Sequence, residues 1–296
     1  MVLSHLRENL NYIFIMTNQR RDFMKTAGLT AAAALAGVPA IATTTARKTV
    51  EKGEHLFSMG LASYTLRKFN TEEALDMAKR VGLTNICFKS MHLPLDSGAT
   101  EITRVKGLVK DRGLTLTSAG TITMKTEEEV DQAFEYASKA GMRHIVGVPE
   151  HKLLKYVEKK VKKYDIIVAI HNHGPGDERY PSPESIYDKV KKLDKRIGIC
   201  HDIGHTKRIN LDPIAETEKY LDRIHDFHMK DVDRPDKEGH SVEAGRGIID
   251  IPAFLRLLVD KKYSGSMNFE YEKDADDPLA GLAESVGYVK GVLATL

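Results

Sequence analysis

The sequence predicts an α/β protein, a single-domain (β/α)8 TIM barrel spanning residues 56–296. Two observations carry that reading. From residue 56 onward, strand-like and helix-like stretches alternate eight times, as a closed parallel barrel requires. Four successive strand-like stretches then break into metal-binding residue types: I-V-A-I-H-N-H-G (167–174), I-G-I-C-H-D-I-G-H (197–205), I-H-D-F-H-M-K-D (224–231) and S-M-N-F-E-Y-E (266–272). A parallel barrel gathers its strand C-termini on one face, where chemistry takes place.

The elements follow in order. Residues 59–66 read as a strand, and 71–81 as a helix opened by a Thr cap with Glu behind it. Strand 84–89 leads to helix 101–110. Strand 115–119 leads to helix 127–140, which stops at Gly141. The pairs 144–148 with 151–163, 166–170 with 183–193 and 197–200 with 213–221 repeat the unit, as do 224–228 with 251–262 and 267–271 with 278–293. A doubly wound open sheet is the alternative, but it expects a glycine-rich phosphate turn after its first strand, and Gly60-Leu61-Ala62-Ser63 is not one. Loops 174–184 and 232–247, rich in Pro, Gly and charge, would rise over the mouth as lids.

The chain has 296 residues, 42% hydrophobic and 29% charged, which is enough for one large core. Cys87 and Cys200 fall inside apolar runs and read as buried free thiols. Residues 1–42 read as an export signal of twin-arginine type: Arg20-Arg21, an Ala-rich stretch, then Ala40-Ile41-Ala42. Met16 is an alternative start, and a cytoplasmic helix or membrane anchor is the alternative use of this segment. Its shortness, its Ala and Gly content and Pro39 make it a poor spanning helix. A short linker, 43–55, follows, and the mature protein would be periplasmic with no stable membrane insertion. Removing 1–42 takes four basic residues (Arg7, Arg20, Arg21, Lys25) from 44 and two acidic ones (Glu8, Asp22) from 42, leaving 40 against 40. That balance gives no general electrostatic reason to bind nucleic acid.

Alternation along each strand sorts the candidates by face. Ala169, His171 and His173 share one face; so do Gly198, Cys200 and Asp202; Ile224, Asp226, His228 and Lys230; and Asn268, Glu270 and Glu272. Imidazole and carboxylate with few thiols suit a divalent ion, Mn²⁺, Co²⁺, Zn²⁺ or Mg²⁺. Asp202 would ligate, with His205 beside it for support or substrate contact. Glu270 is preferred to Glu272 as the ligand.

These strand ends resemble those of the xylose isomerase-like barrel superfamily, the sugar phosphate isomerases/epimerases, which includes an abasic-site endonuclease branch. The resemblance rests on D-I-G-H at 202–205, F-H at 227–228 followed by Arg234, and F-E at 269–270. It implies one divalent ion held by Asp202, His228, Glu270 and a fifth-strand residue. That residue is His171, in H-N-H-G where relatives carry E-N-H-G. Family epimerases use two glutamates as an acid/base pair across the substrate, and His171 breaks that pair. Glu150, in G-V-P-E, either restores the carboxylate or belongs to the cap of the next helix. His171 could instead be a core histidine, with His173 as the polar partner.

Lys89 shares the inner face with Cys87 and is a catalytic candidate beside Glu150, His171 and Glu270. His92, His173, His205, Lys230 and Arg234 are substrate-binding candidates; His92 could equally sit on a solvated loop, and a surface role is the lesser alternative for Lys230. His144, His151 and His225 read as structural or exposed. The expected function is a metal-dependent enzyme that enolises a keto-sugar, as an isomerase or epimerase. A 3-keto-glycoside lyase or hydratase is the alternative on the same scaffold. The partner would be a small keto-sugar or oxidised glycoside, and a homo-oligomer is the assembly to look for. An abasic-site endonuclease would need a basic groove and more histidine ligands. A non-catalytic sugar-binding barrel would bind without metal.

Overall fold

The computed structural model describes residues 55–296. The segments expected to be an export signal (1–42, with Met16 as the alternative start) and a linker (43–55, all but its last residue) lie outside the described residues. Eight parallel strands close into a barrel: β1 (Ser58–Ala62), β2 (Asn85–Phe88), β3 (Thr115–Met124), β4 (His144–Pro149), β5 (Ile167–His171), β6 (Ile197–Asp202), β7 (Ile224–Met229) and, after a small hairpin, β10 (Ser266–Phe269). The strands neighbour one another in chain order, and β10 pairs with both β7 and β1 to shut the ring.

Helices α1 (Thr71–Arg80), α2 (Ala99–Asp111), α3 (Glu127–Ala140), α4 (Leu154–Tyr164), α5 (Pro183–Val190), α6 (Ile203–Arg208), α7 (Pro213–Tyr220), α8 (Ile251–Asp260) and α9 (Leu279–Leu293) return the chain between strands. Their apolar faces cover the sheet: Leu75 and Ala78 of α1, Val130, Phe134 and Ala137 of α3, and Phe254, Leu255 and Leu258 of α8 are fully buried. The doubly wound alternative is excluded by closure of the ring. Among the described residues no helix is long and apolar enough to cross a membrane.

Several local expectations change. The cap of α1 is Asn70, not Thr71. Asn70 Oδ1 accepts from the backbone N–H groups of Glu72 and Glu73, and the Glu73 carboxylate accepts from Asn70 N–H. Thr71 donates its hydroxyl to His92 O instead. Helix α3 is capped by Thr126 and stops at Gly141, whose φ of +75° is the left-handed conformation that glycine adopts freely. The first strand ends at Ala62, and a 3₁₀ turn (Ser63–Leu66) takes the rest of the expected stretch. β3 runs ten residues, twice the expected length. The 232–247 loop is organised rather than open: β8 (Asp231–Val232) pairs antiparallel with β9 (Ser241–Val242).

Inside the barrel a small-residue layer of Cys87, Val146, Ala169 and Cys200 lies below the strand ends. Both cysteines are free and buried, as expected. Asp226 shares the lumen and accepts hydrogen bonds from Ser266 Oγ and Asn268 Nδ2 at 2.7 and 2.9 Å.

Candidate metal centre

Strand alternation delivers four side chains to the C-terminal mouth, one each from β5, from β6, from β7 and from the residue that follows β10. One ligand atom each from His171, Asp202, His228 and Glu270 lies within 4.8 Å of the other three, and all four residues are buried. His171 Nε2 is 3.0 Å from His228 Nδ1 and 3.5 Å from Asp202 Oδ2; His228 Nδ1 is 3.1 Å from Glu270 Oε2.

Asp202 is divided between two tasks. Its Oδ1 accepts from His205 N–H at 2.8 Å and so caps α6, while its Oδ2 is buried without a hydrogen bond. His228 Nε2 is likewise buried and unpartnered. Asn172, between the two histidines of H-N-H-G, locks the neighbouring strand: its Oδ1 accepts from Asp202 N–H, and its Nδ2 donates to Asp202 O and Thr206 Oγ1. Nothing in the sequence pattern singled out Asn172, because its work is done by contacts to the backbone of the next strand.

Lys230 lies under the same mouth, 4% exposed. Its Nζ donates to Glu270 Oε2 at 2.9 Å and to Glu272 Oε1 at 2.5 Å, and is 3.0 Å from Asp202 Oδ2 without donating to it. Two of its three protons go to the glutamates, and Asp202 Oδ2 has its charge beside it but no hydrogen bond. Burial opposes the Lys230 charge, but Asp202, Glu270 and Glu272 outweigh it and hold the ammonium well above its usual range. Burial also opposes ionisation of Glu270 and Asp202, yet both stay well below the carboxylate range. His228 and Lys230 do this for Glu270, and His205 and Lys230 for Asp202. Burial drives His171 down to about 3, so its imidazole is neutral and able to ligate.

The other candidates separate by position. His173 reaches the rim, 38% exposed, with Nδ1 3.2 Å from Asp177 Oδ2 and 3.4 Å from His171 Nδ1. His205 is nearly buried beside Asp202, with its Nε2 3.8 Å from Asp202 Oδ2. Lys89 stands on the β2 side; its Nζ donates to Thr121 O at 3.0 Å and lies 5.7 Å from the Tyr64 ring centre. Burial lowers its pKa.

Three candidates are placed elsewhere. His92 is a satisfied core residue, 2% exposed, with one ring nitrogen 2.8 Å from Ser63 Oγ and the other 3.1 Å from Phe69 O. Glu150 does not join the cluster; its Oε1 accepts from Arg179 Nη1 at 2.9 Å at the rim. Arg234 is exposed in the β8–β9 connection. Arg179 and Tyr64 were missed, since each acquires its place only through residues far away in sequence.

The donor set of two imidazoles and two carboxylates, with an unpartnered Oδ2 aimed among them, fits a divalent cation. No curated protein matches the chain significantly. Solved structures do share its fold. A protein from Parabacteroides distasonis is 27% identical, covers 79% of this chain and 98% of its own, and has a TM-score of 0.64. The 3-keto-D-glucoside 4-epimerase from E. coli is 16% identical over 79% of this chain and 99% of its own, with a TM-score of 0.66. The IolI protein with a bound zinc atom is 15% identical over 81% of this chain and 98% of its own, also at 0.66. The profile of the xylose isomerase-like TIM barrel family matches residues 75–292. With a closed barrel, a cluster at its C-terminal mouth and a profile match over most of the described chain, this protein belongs to the xylose isomerase-like TIM barrel family.

Proposed function

We propose that the protein is a divalent-metal-dependent carbohydrate enzyme that enolises a keto-sugar. The observation that carries this is the convergence of His171, Asp202, His228 and Glu270 within 4.8 Å at the barrel mouth. Those four residues would hold the ion. When bound, the ion supplies Lewis acidity toward a substrate carbonyl and its neighbouring hydroxyl.

The chain's own groups supply the proton transfers. Glu270, kept ionised by His228 and Lys230, takes the proton from the carbon next to the carbonyl. Lys230 fixes the orientation of that carboxylate and links it to Glu272. Lys89, the residue that follows β2, is a burial-softened acid placed to give a proton to a developing oxyanion. His173, neutral and half-exposed, serves the face opposite Glu270, oriented by Asp177. The 3-keto-D-glucoside 4-epimerase, which shares the fold, supports a keto-sugar as the substrate class.

A second reading, a 3-keto-glycoside lyase or hydratase, is favoured by one observation. The fifth-strand position carries His171 in place of a glutamate, and Glu150, the spare carboxylate, is held by Arg179 at the rim. An asymmetric pair suits removal of a proton and loss of a β-leaving group better than a symmetrical epimerisation. Export to the periplasm, proposed from residues 1–42, agrees with an unphosphorylated substrate. The test is proton exchange. Full-length protein with Mn²⁺ in D₂O is expected to label the carbon next to the carbonyl of a 3-keto-glycoside or ketohexose. Absence of exchange across such a panel overturns both readings, and aglycone release without an epimer selects the second.

A further inference from the structure

We propose that Cys200, His171 and His228 form a second, softer metal set one layer deeper in the barrel, able to hold a thiophilic divalent cation such as Co²⁺, Zn²⁺ or Cd²⁺ in place of the ion at the carboxylates. One ligand atom each from these three residues lies within 4.8 Å of the other two, and all three residues are buried. The register explains the layering. Cys200 is the cross-strand partner of His171, while His228 is opposite Asp202, two residues further along β6. Alternation turns Cys200 and Asp202 to the same inner face, so the thiol sits directly below the carboxylate.

Independent features point to a ligand here. His228 Nε2 is fully buried with no partner. His171 Nε2 lies 3.0 Å from His228 Nδ1, so the two rings are already held side by side. Cys200 is a free thiol whose neighbours in the lumen, Ala169, Val146 and Cys87, are small. Imidazole and thiolate together select softer cations than imidazole and carboxylate do. Binding exchanges the S–H bond for a metal–sulfur bond, and the displaced proton leaves to solvent, one per ion. A coordinated thiol loses its proton outright.

The two sets share both imidazoles, so they compete for one ion. A hard cation such as Mn²⁺ or Mg²⁺ takes Asp202 and Glu270. A soft one draws His171 and His228 down toward the sulfur, away from the carboxylates. The inference uses the imidazoles of the proposed centre but not its sugar chemistry.

The experiment is Co²⁺ titration of the full-length protein, followed by its visible d–d absorption and its near-ultraviolet thiolate-to-cobalt charge-transfer band. The expected result is a charge-transfer band that saturates at one equivalent in the native protein. It should be lost in Cys200→Ser while the d–d absorption remains, and kept in Asp202→Asn, since Asp202 is outside the softer set. Stoichiometric Co²⁺ binding by the native protein without the charge-transfer band overturns this inference and leaves the carboxylate centre standing. Persistence of the band in Cys200→Ser, which would assign it to Cys87, also overturns it. Absence of any bound cobalt overturns both sites. The native spectrum alone decides should Cys200→Ser fail to fold.

Discussion

Lys230 Nζ lies 2.9 Å from Glu270 Oε2, a buried ammonium joined to a buried carboxylate that also faces His228. The same nitrogen is 3.0 Å from Asp202 Oδ2 and 2.5 Å from Glu272 Oε1. One buried cation thus balances the buried carboxylates of Asp202 and Glu270 and that of Glu272, whose side chain is 34% exposed. Removing one partner of such a group is costly, because charges are left buried and uncompensated. Lys230→Met is expected to lower the stability of metal-free protein by about 3–5 kcal/mol. Saturating Mn²⁺ should recover most of that loss, since a divalent ion restores the missing positive charge. Differential scanning calorimetry with EDTA and with Mn²⁺ checks this. Equal metal-induced shifts in the variant and the native protein would show that Lys230 has no such role.

Asp231 anchors the connection above the site through four backbone contacts. Its carboxylate accepts from Val232, Gly245, Gly247 and Ile249 N–H at 2.9, 2.9, 3.0 and 3.2 Å. Gly247 is required there because a Cβ would come within 2.2 Å of Asp231 Oδ1. Asp231→Asn replaces one acceptor oxygen by an N–H₂ group that opposes the donors. With about 1–3 kcal/mol for each buried group left unpaired, the cost is expected near 2–4 kcal/mol. The loss should be local, so hydrogen exchange at residues 243–249 must rise more than exchange in the barrel strands. Uniform acceleration across the chain would contradict the local anchor.

The barrel was legible because each strand carries its own apolar alternation and each helix its own apolar stripe, signals contained within ten residues or so. The four cluster residues were legible for a related reason: a period of two fixes which side chains face inward, and strand ends fix their height. The rest depended on encounters between distant segments. His92 looks like a mouth residue until Ser63 and the Phe69 carbonyl, 29 and 23 positions away, satisfy its ring. Glu150 looks like a spare carboxylate until Arg179 meets it. Lysine at 230 keeps a surface reading as its alternative until Asp202, Glu270 and Glu272 converge on it. β3 escaped at full length because T-S-A-G-T over 117–121 is polar on both faces.

His144, at the start of β4, gives a pH dependence separate from the metal centre. Burial, with His225 and Arg143 nearby, lowers its pKa to about 4, below the 6.5 of an unfolded histidine. The unfolded chain therefore binds more protons than the folded one between these values. Its contribution is present above pH 6.5 and is lost as pH falls toward 4. Allowing for partial exposure, the loss between pH 7.5 and pH 5 is about 1–2 kcal/mol. Urea denaturation of the native protein and of His144→Gln at the two pH values measures it. The variant should lose less on acidification by that amount, and identical losses would refute the assignment.

Asp202 combines two functions that substitution can separate. Asn keeps the oxygen that accepts from His205 N–H and is as good an N-cap as Asp, but it carries no charge toward the cluster. Ala loses both. Replacing even an outer partner of a metal ligand costs 10–100-fold in affinity, so loss of a ligand should weaken Mn²⁺ binding by at least about 100-fold. Asp202→Asn should show that loss with α6 intact, whereas Asp202→Ala should add about 1 kcal/mol of destabilisation from the missing cap. Mn²⁺ affinity by electron paramagnetic resonance and stability by denaturant titration separate the two effects. If Asp202→Asn bound Mn²⁺ as tightly as the native protein, Oδ2 would not be a ligand. The carboxylate would then serve only to hold α6 against β6, and the proposed enolising centre would have lost the residue on which its geometry turns.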